Sequence, residues 1–504
     1  MNELEYIKSK LEIKELLDSA SRIITFDQMT IAPAKGISDK NEIIAHLTEE
    51  VFKTTKDPEF DRCVLTLYEK RDDIEDELDR VLIKQLYRNY LIEKNLTPED
   101  TYNISLNEQN AFVAWSEAKE ASDYSIFKEP LNKVIEGCKL KAERRELSES
   151  ENNIIKDDYD KLLDIFEQGM TQKDIDPLFS ECREGLITLT EKIKNSKKKI
   201  RSDFLSRPVG IEAQRRVTEY LMGLMGFDKE RGIFSTSEHG YTELLTPNDI
   251  RITTHFYEDN FISSIYTVTH ETGHALFDQN QPSANFKYFI TGGKTLGMHE
   301  SVSRFYENVL GRSKGFIHMI YPTLKELMPE ALYDVSEREL YEAVNIVTPS
   351  LIRTEADEVT YGFHVIIRYE LEKAIFSGNL SVDDLPAAWN DKYEEYLGIR
   401  PDNDRDGVLQ DIHWASDFGY FPTYLLGNFY NTMYYNRMKN EIDVEAVLNA
   451  GDITPINKWM IDNVFAKADR LSPKEWIKDI TGRSVTSADF IKYLNDKYYE
   501  IYEL

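Results

Sequence analysis

Cysteine is scarce in this chain. Cys63, Cys138 and Cys182 are the only three, they stand far apart, and none forms a Cys-x-x-Cys pair. An odd, scattered set excludes a disulfide framework and fits reduced thiols in a cytosolic protein. No uninterrupted apolar run reaches the length of a membrane span. The opening residues, Met1-Asn2-Glu3-Leu4-Glu5, are acidic and lack an apolar core, so no secretion signal is expected. Positive charge is short as well. Lys and Arg number 61 against 90 Asp and Glu, and the net charge of −29 argues against nucleic acid or an anionic membrane as partner. Gly and Pro are sparse over the first two hundred residues, and neither an internal repeat nor a low-complexity linker breaks the chain. What is there is globular: 41% hydrophobic and 30% charged residues over 504 positions can bury a core large enough for two or more lobes.

Most long segments carry the 3.6-residue period of amphipathic helices. The strongest in the front part are 72–93, 107–122, 127–147 and 172–194. Lys197-Lys198-Lys199 with Arg201 reads as a basic, solvated turn. From about 209 a helix leads to a Gly-containing stretch around Gly226 and Gly232. Ile250-Arg251-Ile252-Thr253-Thr254-His255-Phe256 is rich in β-branched residues and predicts a strand. A helix over 263–278 follows, with Asp259 or Asn260 placed to cap it. The chain then returns to helices and ends in the Tyr-rich segment 490–502. The expected fold is mainly α with a small sheet, in a helical front part (1–200) and a catalytic part (201–504).

The chemistry is concentrated between those parts. Five of the nine histidines lie between His239 and His299. His270-Glu271-Thr272-Gly273-His274 sits on the predicted helix, where residues four apart share a face and can grip one metal ion through two imidazoles. Glu271 falls just off that face, where a carboxylate can hold and deprotonate an attacking water. The preceding strand could pair with an extended peptide. A hydrolytic zinc needs a third protein ligand. The metzincin pattern would put Gly at 277 and His at 280, where Phe277 and Asn280 stand, so the third ligand must be a carboxylate. Glu300, in a predicted helix opening at Gly297-Met298-His299, is the best candidate; Glu307, two turns on, is the rival ligand or a partner standing behind one. Gly292-Gly293-Lys294-Thr295 ends like a phosphate loop, but Tyr288 occupies the position of the required earlier Gly, leaving a loop before the Glu300 helix.

Two later clusters resist a purely structural reading. One is Ile352-Arg353-Thr354-Glu355-Ala356-Asp357-Glu358, where Arg353 could simply pair with Glu355 or Asp357. The other is Gly407-Val408-Leu409-Gln410-Asp411-Ile412-His413-Trp414, followed by Gly419-Tyr420-Phe421-Pro422-Thr423-Tyr424. Together with the metal motif these segments resemble the carboxypeptidase Taq family of zinc metallocarboxypeptidases. Its motifs occur in order over 237–430: Asp249-x-Arg251-x-Thr253, His270 to His274, His299-Glu300-Ser301, Ile352-Arg353-x-x-Ala356-Asp357 and Gly407-x-x-Gln410-Asp411-x-His413-Trp414. One departure stands out. The family's usual His-Pro-Phe is His239-Gly240-Tyr241 here, which frees the backbone and adds a hydroxyl.

The resemblance implies a large helical metallopeptidase with a deep active-site cleft, a small β-sheet beside the zinc helix and the front part as one wall of the cleft. It implies a cytosolic enzyme, often a homodimer, that removes single residues from peptides with a free C-terminus. Zinc, or cobalt or manganese, would be held by His270, His274 and Glu300. Glu271 would serve as general base and then general acid. His413, then Tyr420, would donate to the oxyanion. The planar fork of Arg353 would anchor the substrate carboxylate, with Arg251 second and His239 assisting, while Asp249, Asp357 and Asp411 orient these groups. Two alternatives differ in what Arg353 does: an endo-acting oligopeptidase of the same zinc class, without a committed carboxylate anchor, and a non-catalytic peptide-binding protein.

Overall fold

Capping residues decide where the front helices begin and end. Asp76 accepts from the amides of Leu78 and Asp79 and opens the helix Glu77–Glu93. The residues just upstream, expected to belong to it, form a separate 3-10 turn, Arg71–Asp73. A capping box between Thr97 and Asp100 starts the next helix at Pro98, well before the expected 107, and it runs to Ala121. The helix Ser125–Arg144 stops before the expected 147 because Arg145 turns extended and pairs with Glu151 and Asp164. Gln172–Asn195 follows behind the capping box of Thr171 and Asp174. The basic turn is not simply solvated. Lys198 pairs with Glu342 and Glu503, and Arg201 with Asp203, Asp334 and Glu339, which ties it to the second half of the chain.

This computed structural model describes residues 2–237, 239–291, 295–468 and 470–504, without the side chains of Ala34 and Ser38. The loop read at Gly292-Gly293-Lys294 lies outside the described residues. The chain is mainly helical with one three-stranded sheet, β1 (Gly232–Thr236), β2 (Thr242–Thr246) and β3 (Asp249–Thr254), in the order β1-β3-β2. β3 is central, parallel to β1 and antiparallel to β2. The strand predicted to reach 256 therefore ends at Thr254. Ile250 and Ile252 of β3 are fully buried, and the sheet lies against the helix Phe261–Gln279, which carries the His-Glu-x-x-His motif. Asn260 occupies the cap position of that helix without a capping side-chain bond.

The motif helix crosses the helix Leu296–Arg304 at very short range. A Cβ on Gly273 would stand 2.8 Å from the Cα of Ser303 and 3.3 Å from Tyr306, so only glycine fits in the middle of the motif. Beyond Arg304 the helix widens into a π turn, Phe305–Leu310, which carries Glu307. One apolar core extends from Ala111 to Tyr502 and runs through both halves of the chain; a smaller one joins Ile7, Leu11, Phe60, Cys63, Val64, Leu82 and Ile83. Among the described residues no helix is long and apolar enough to cross a membrane.

Candidate active site

His270 and His274 project from one face of the motif helix towards Glu300 on the crossing helix. Among the described residues they form the one group suited to a metal ion, with their ligand atoms all within 4.8 Å of one another. The His270 Nε2 to Glu300 Oε2 separation is 3.8 Å. Bonds of about 2.1 Å in a tetrahedral site put ligand atoms about 3.4 Å apart, so small side-chain movements bring these three onto an ion. Glu307 stands behind His270, its carboxylate 2.9 Å from Nδ1. Arg304 and Arg312 flank Glu307 and, with His270, outweigh its burial and draw its carboxyl down to about 2. His274 Nδ1 lies 2.5 Å from His299 Nδ1, and His299 Nε2 is 3.5 Å from Asp278. Each imidazole is therefore held at Nδ1, which leaves Nε2 for the ion.

The electrostatics suit a cation. Burial alone would push the His270 imidazole down, but Glu307, Glu300 and Glu271 hold it up to about 9. A site in which three carboxylates hold a proton on a half-buried imidazole is one where a divalent cation can displace that proton. Glu271 is buried, which raises its carboxyl to about 6, while His270 and Thr242 pull the other way. The Thr242 hydroxyl, on β2, donates to Glu271 Oε2 at 2.6 Å. A small hydroxyl one strand away thus aims the carboxylate. The departure at residue 240 lies beside it: a Cβ on Gly240 would come within 2.3 Å of Thr267 and 3.4 Å of Glu271.

Asp411 joins the other two clusters. Arg353 Nε donates to Asp411 Oδ2 at 2.5 Å, and His413 Nδ1 bonds to Asp411 Oδ1. Gln410 accepts from the Arg353 amide at 2.8 Å, and Arg353 Nη1 donates to the Tyr361 hydroxyl at 3.3 Å. The guanidinium lies over the rings of Phe421 and Tyr424. Its partner is therefore Asp411 and neither Glu355 nor Asp357. Asp357 instead accepts from the amides of Val359 and Thr360 ahead of the helix Tyr361–Phe376. His413 stacks on Tyr420 with centroids 5.5 Å apart, and its Nε2 is 3.3 Å from the Tyr424 hydroxyl, which lies 3.0 Å from that of Tyr420. Burial raises the Tyr420 phenol to about 12, against the hydrogen bond with Tyr424, which pulls it down.

Arg251 and His239 have partners of their own. Asp249 clamps the Arg251 guanidinium through two bonds, of 2.9 and 2.7 Å, and Phe26 covers it. His239 is exposed and engages Ser237 and Thr253 through its carbonyl oxygen. Several site residues escape a reading of sequence alone: Thr242, Tyr361, Tyr424 and the His299–Asp278 pair. Thr242 follows the His239-Gly240-Tyr241 segment directly, and Tyr424 closes the Gly419 segment. Nothing in its spacing marks Tyr361.

A helical chain that gathers two imidazoles and a carboxylate around one point, with a buried glutamate next to the first imidazole, is a metallopeptidase of the His-Glu-x-x-His class. Comparison with known proteins narrows this. The family model described as carboxypeptidase Taq (M32) metallopeptidase matches residues 6–498, and the chain belongs to that family. It is 36% identical over 488 residues to carboxypeptidase 1 of Bacillus subtilis, with 96% of each chain covered. It is also 36% identical over 492 residues to thermostable carboxypeptidase 1 of Thermus thermophilus, again covering 96% of each. The crystal structure of the M32 carboxypeptidase from Deinococcus radiodurans superposes with a TM-score of 0.93 at 30% identity, over 99% of each chain. The resemblance seen over 237–430 thus extends through the helical front part, and the chain is a metallocarboxypeptidase.

Proposed function

We propose that zinc is the ion held by His270, His274 and Glu300, with cobalt or manganese as functional substitutes, and that Glu271, Arg353, His413 and Tyr420 carry the reaction. The donor set of two imidazoles and one carboxylate supports zinc. When bound, the ion acts as a Lewis acid on the scissile carbonyl. Glu271 takes the proton of the attacking water and returns it to the leaving amine. Thr242 keeps its carboxylate aimed during both transfers. Arg353 receives the substrate's terminal carboxylate, and His413 and Tyr420 donate to the oxyanion that develops on the scissile carbonyl. Arg251 and His239 serve the peptide further from the scissile bond.

The observation that carries this reading is Asp411, which holds Arg353 with one oxygen and His413 with the other. A buried guanidinium already oriented by one carboxylate through Nε suits capture of another carboxylate through its outer nitrogens. The same reading makes residues 1–200 one wall of the cleft and 201–504 the catalytic unit, with the enzyme a cytosolic homodimer. The buried free thiols of Cys63, Cys138 and Cys182 support a reducing compartment.

The test compares an unblocked peptide with its C-terminally amidated twin, incubated with metal-loaded enzyme and followed by mass. Stepwise loss of single residues from the free acid alone is expected. Internal cuts in both peptides would remove Arg353 from its role. Light scattering across a concentration series tests the dimer.

A further inference from the structure

The metal centre is braced from the front part of the chain. The corner between the helices Asp158–Phe166 and Gln172–Asn195 is tightly tied. Asp164, within it, receives Arg88 and Arg145 and accepts the Gly169 amide at 2.6 Å. From this corner Glu167, 2% exposed, reaches across to the first turn of the Glu300 helix. One of its oxygens accepts the Gly297 amide at 3.1 Å and the other the Tyr430 hydroxyl at 2.9 Å. The contact is close enough to shape the sequence: a Cβ on Gly297 would stand 2.8 Å from the Glu167 carboxylate. The neighbouring Phe166 sets its ring edge against Tyr420, with centroids 5.5 Å apart at 88°.

A buried carboxyl group is costly unless its bonds repay it. Here both oxygens are engaged, and the amide it satisfies is one of the free donors at the start of a helix. That helix carries Glu300 one turn further on. Its other end is fixed by the crossing at Gly273 and by the π turn bearing Glu307. Without the bond at Gly297 the first turn has a buried, unsatisfied donor and is free to unwind or shift, which moves the Glu300 carboxylate relative to two imidazoles held on another helix.

We propose that Glu167 is a positioning residue for the metal centre, fixing the register of the Glu300 helix through the Gly297 amide while Phe166 fixes Tyr420 from the same corner. The inference rests on the reading of His270, His274 and Glu300 as the metal site. It identifies the front part as a contributor to metal affinity as well as a wall.

Zinc affinity, measured by competition with a chromophoric chelator on the full chain, tests it independently of peptidase turnover. Glu167→Leu, which fills the space but cannot accept, should weaken zinc binding tenfold or more and lower kcat with KM within about twofold of the parent. Glu167→Gln should bind zinc within twofold of the parent, because its amide oxygen still accepts from Gly297 and its NH2 can donate to the Tyr430 oxygen. Gly297→Ala, which forces the corner and helix apart, should reproduce the loss and serves if the leucine variant does not fold. Leu494→Ala, a remote core truncation, should lower the melting temperature without changing affinity. Parental zinc affinity in Glu167→Leu or Gly297→Ala, or a glutamine variant as weak as the leucine, would overturn the proposal. Failure of the parent chain itself to bind zinc would overturn the metal-site reading instead.

Discussion

Asp411 shows how much one carboxylate can organise. Its two oxygens fix a guanidinium and an imidazole, the pair to which the proposed mechanism gives the terminal carboxylate and the oxyanion. Replacing Arg353 by Ala removes a charge-assisted, planar partner for the terminal carboxylate and leaves Asp411 buried without its main cation. Loss of such a charge-assisted anchor for the substrate costs about 3–4 kcal/mol of binding, which corresponds to a fall in kcat/KM of about two to three orders of magnitude on free-acid peptides. Steady-state kinetics on a dipeptide series checks this, and a variant within tenfold of the parent would exclude Arg353 as the anchor. Glu271→Gln separates binding from chemistry. The amide keeps the Thr242 contact but cannot take a proton, so kcat should fall about 10²–10⁴-fold while the metal content stays at one ion per chain. A loss of metal in that variant would mean that Glu271 acts as a ligand.

At the scale of elements, what could be read from the sequence follows from how local each signal is. The face shared by His270 and His274 is a property of helix geometry alone, so the motif is visible without a structure. The capping boxes at Thr97 and Thr171 are equally local; the first places its helix start better than hydrophobic periodicity does, and at the second the two agree. Glu300 and Glu307, by contrast, lie on the same side of the continuing helix. Their different placement is settled by tertiary contact, where Glu307 meets Nδ1 of His270 and Glu300 faces the Nε2 side. Thr242 and Glu167 act across long stretches of chain on partners with no periodic relation to them, and no spacing could reveal them. Gly273 shows a signal that was present and silent. It falls in a variable position of the motif, yet the helix crossing requires it. Gly273→Ala should cost about 1–3 kcal/mol of stability through overpacking and push the two ligand-bearing helices apart. Thermal unfolding with and without added zinc checks it. The substitution should narrow the gap in melting temperature that zinc produces, and an unchanged gap would show that the crossing does not transmit to the site.

The whole molecule links metal, protons and stability. Glu167 and His270 hold protons in the folded, metal-free chain that they lose more readily when unfolded. Desolvation raises Glu167 from its ordinary 4.5 to about 8. His270, pulled down by desolvation but held up more strongly by Glu307, Glu300 and Glu271, rises from 6.5 to about 9. A raised pKa in the folded state contributes stability that is complete below the unfolded value and lost as pH climbs through the folded one. Metal-free enzyme should therefore melt at progressively lower temperature from pH 6 to pH 9, over the window these two groups span. Zinc reverses part of this, because binding requires His270 to give up its proton and so strengthens as pH rises. Binding to the folded state alone adds RT ln(1 + [L]/Kd), about 4 kcal/mol when free zinc is a thousandfold above Kd. The melting-temperature gap between zinc-loaded and chelator-treated enzyme should accordingly widen from pH 6 to pH 9. Because the main core runs from Ala111 to Tyr502 through both halves, the shift should appear in the principal unfolding transition and not in a small separate one. Calorimetry at three pH values decides it: a gap that is constant or shrinks with pH would show that no proton is exchanged for the ion at His270. If the metal-free decline disappears in Glu167→Gln, it belongs to the corner; if it persists, it belongs to the metal site.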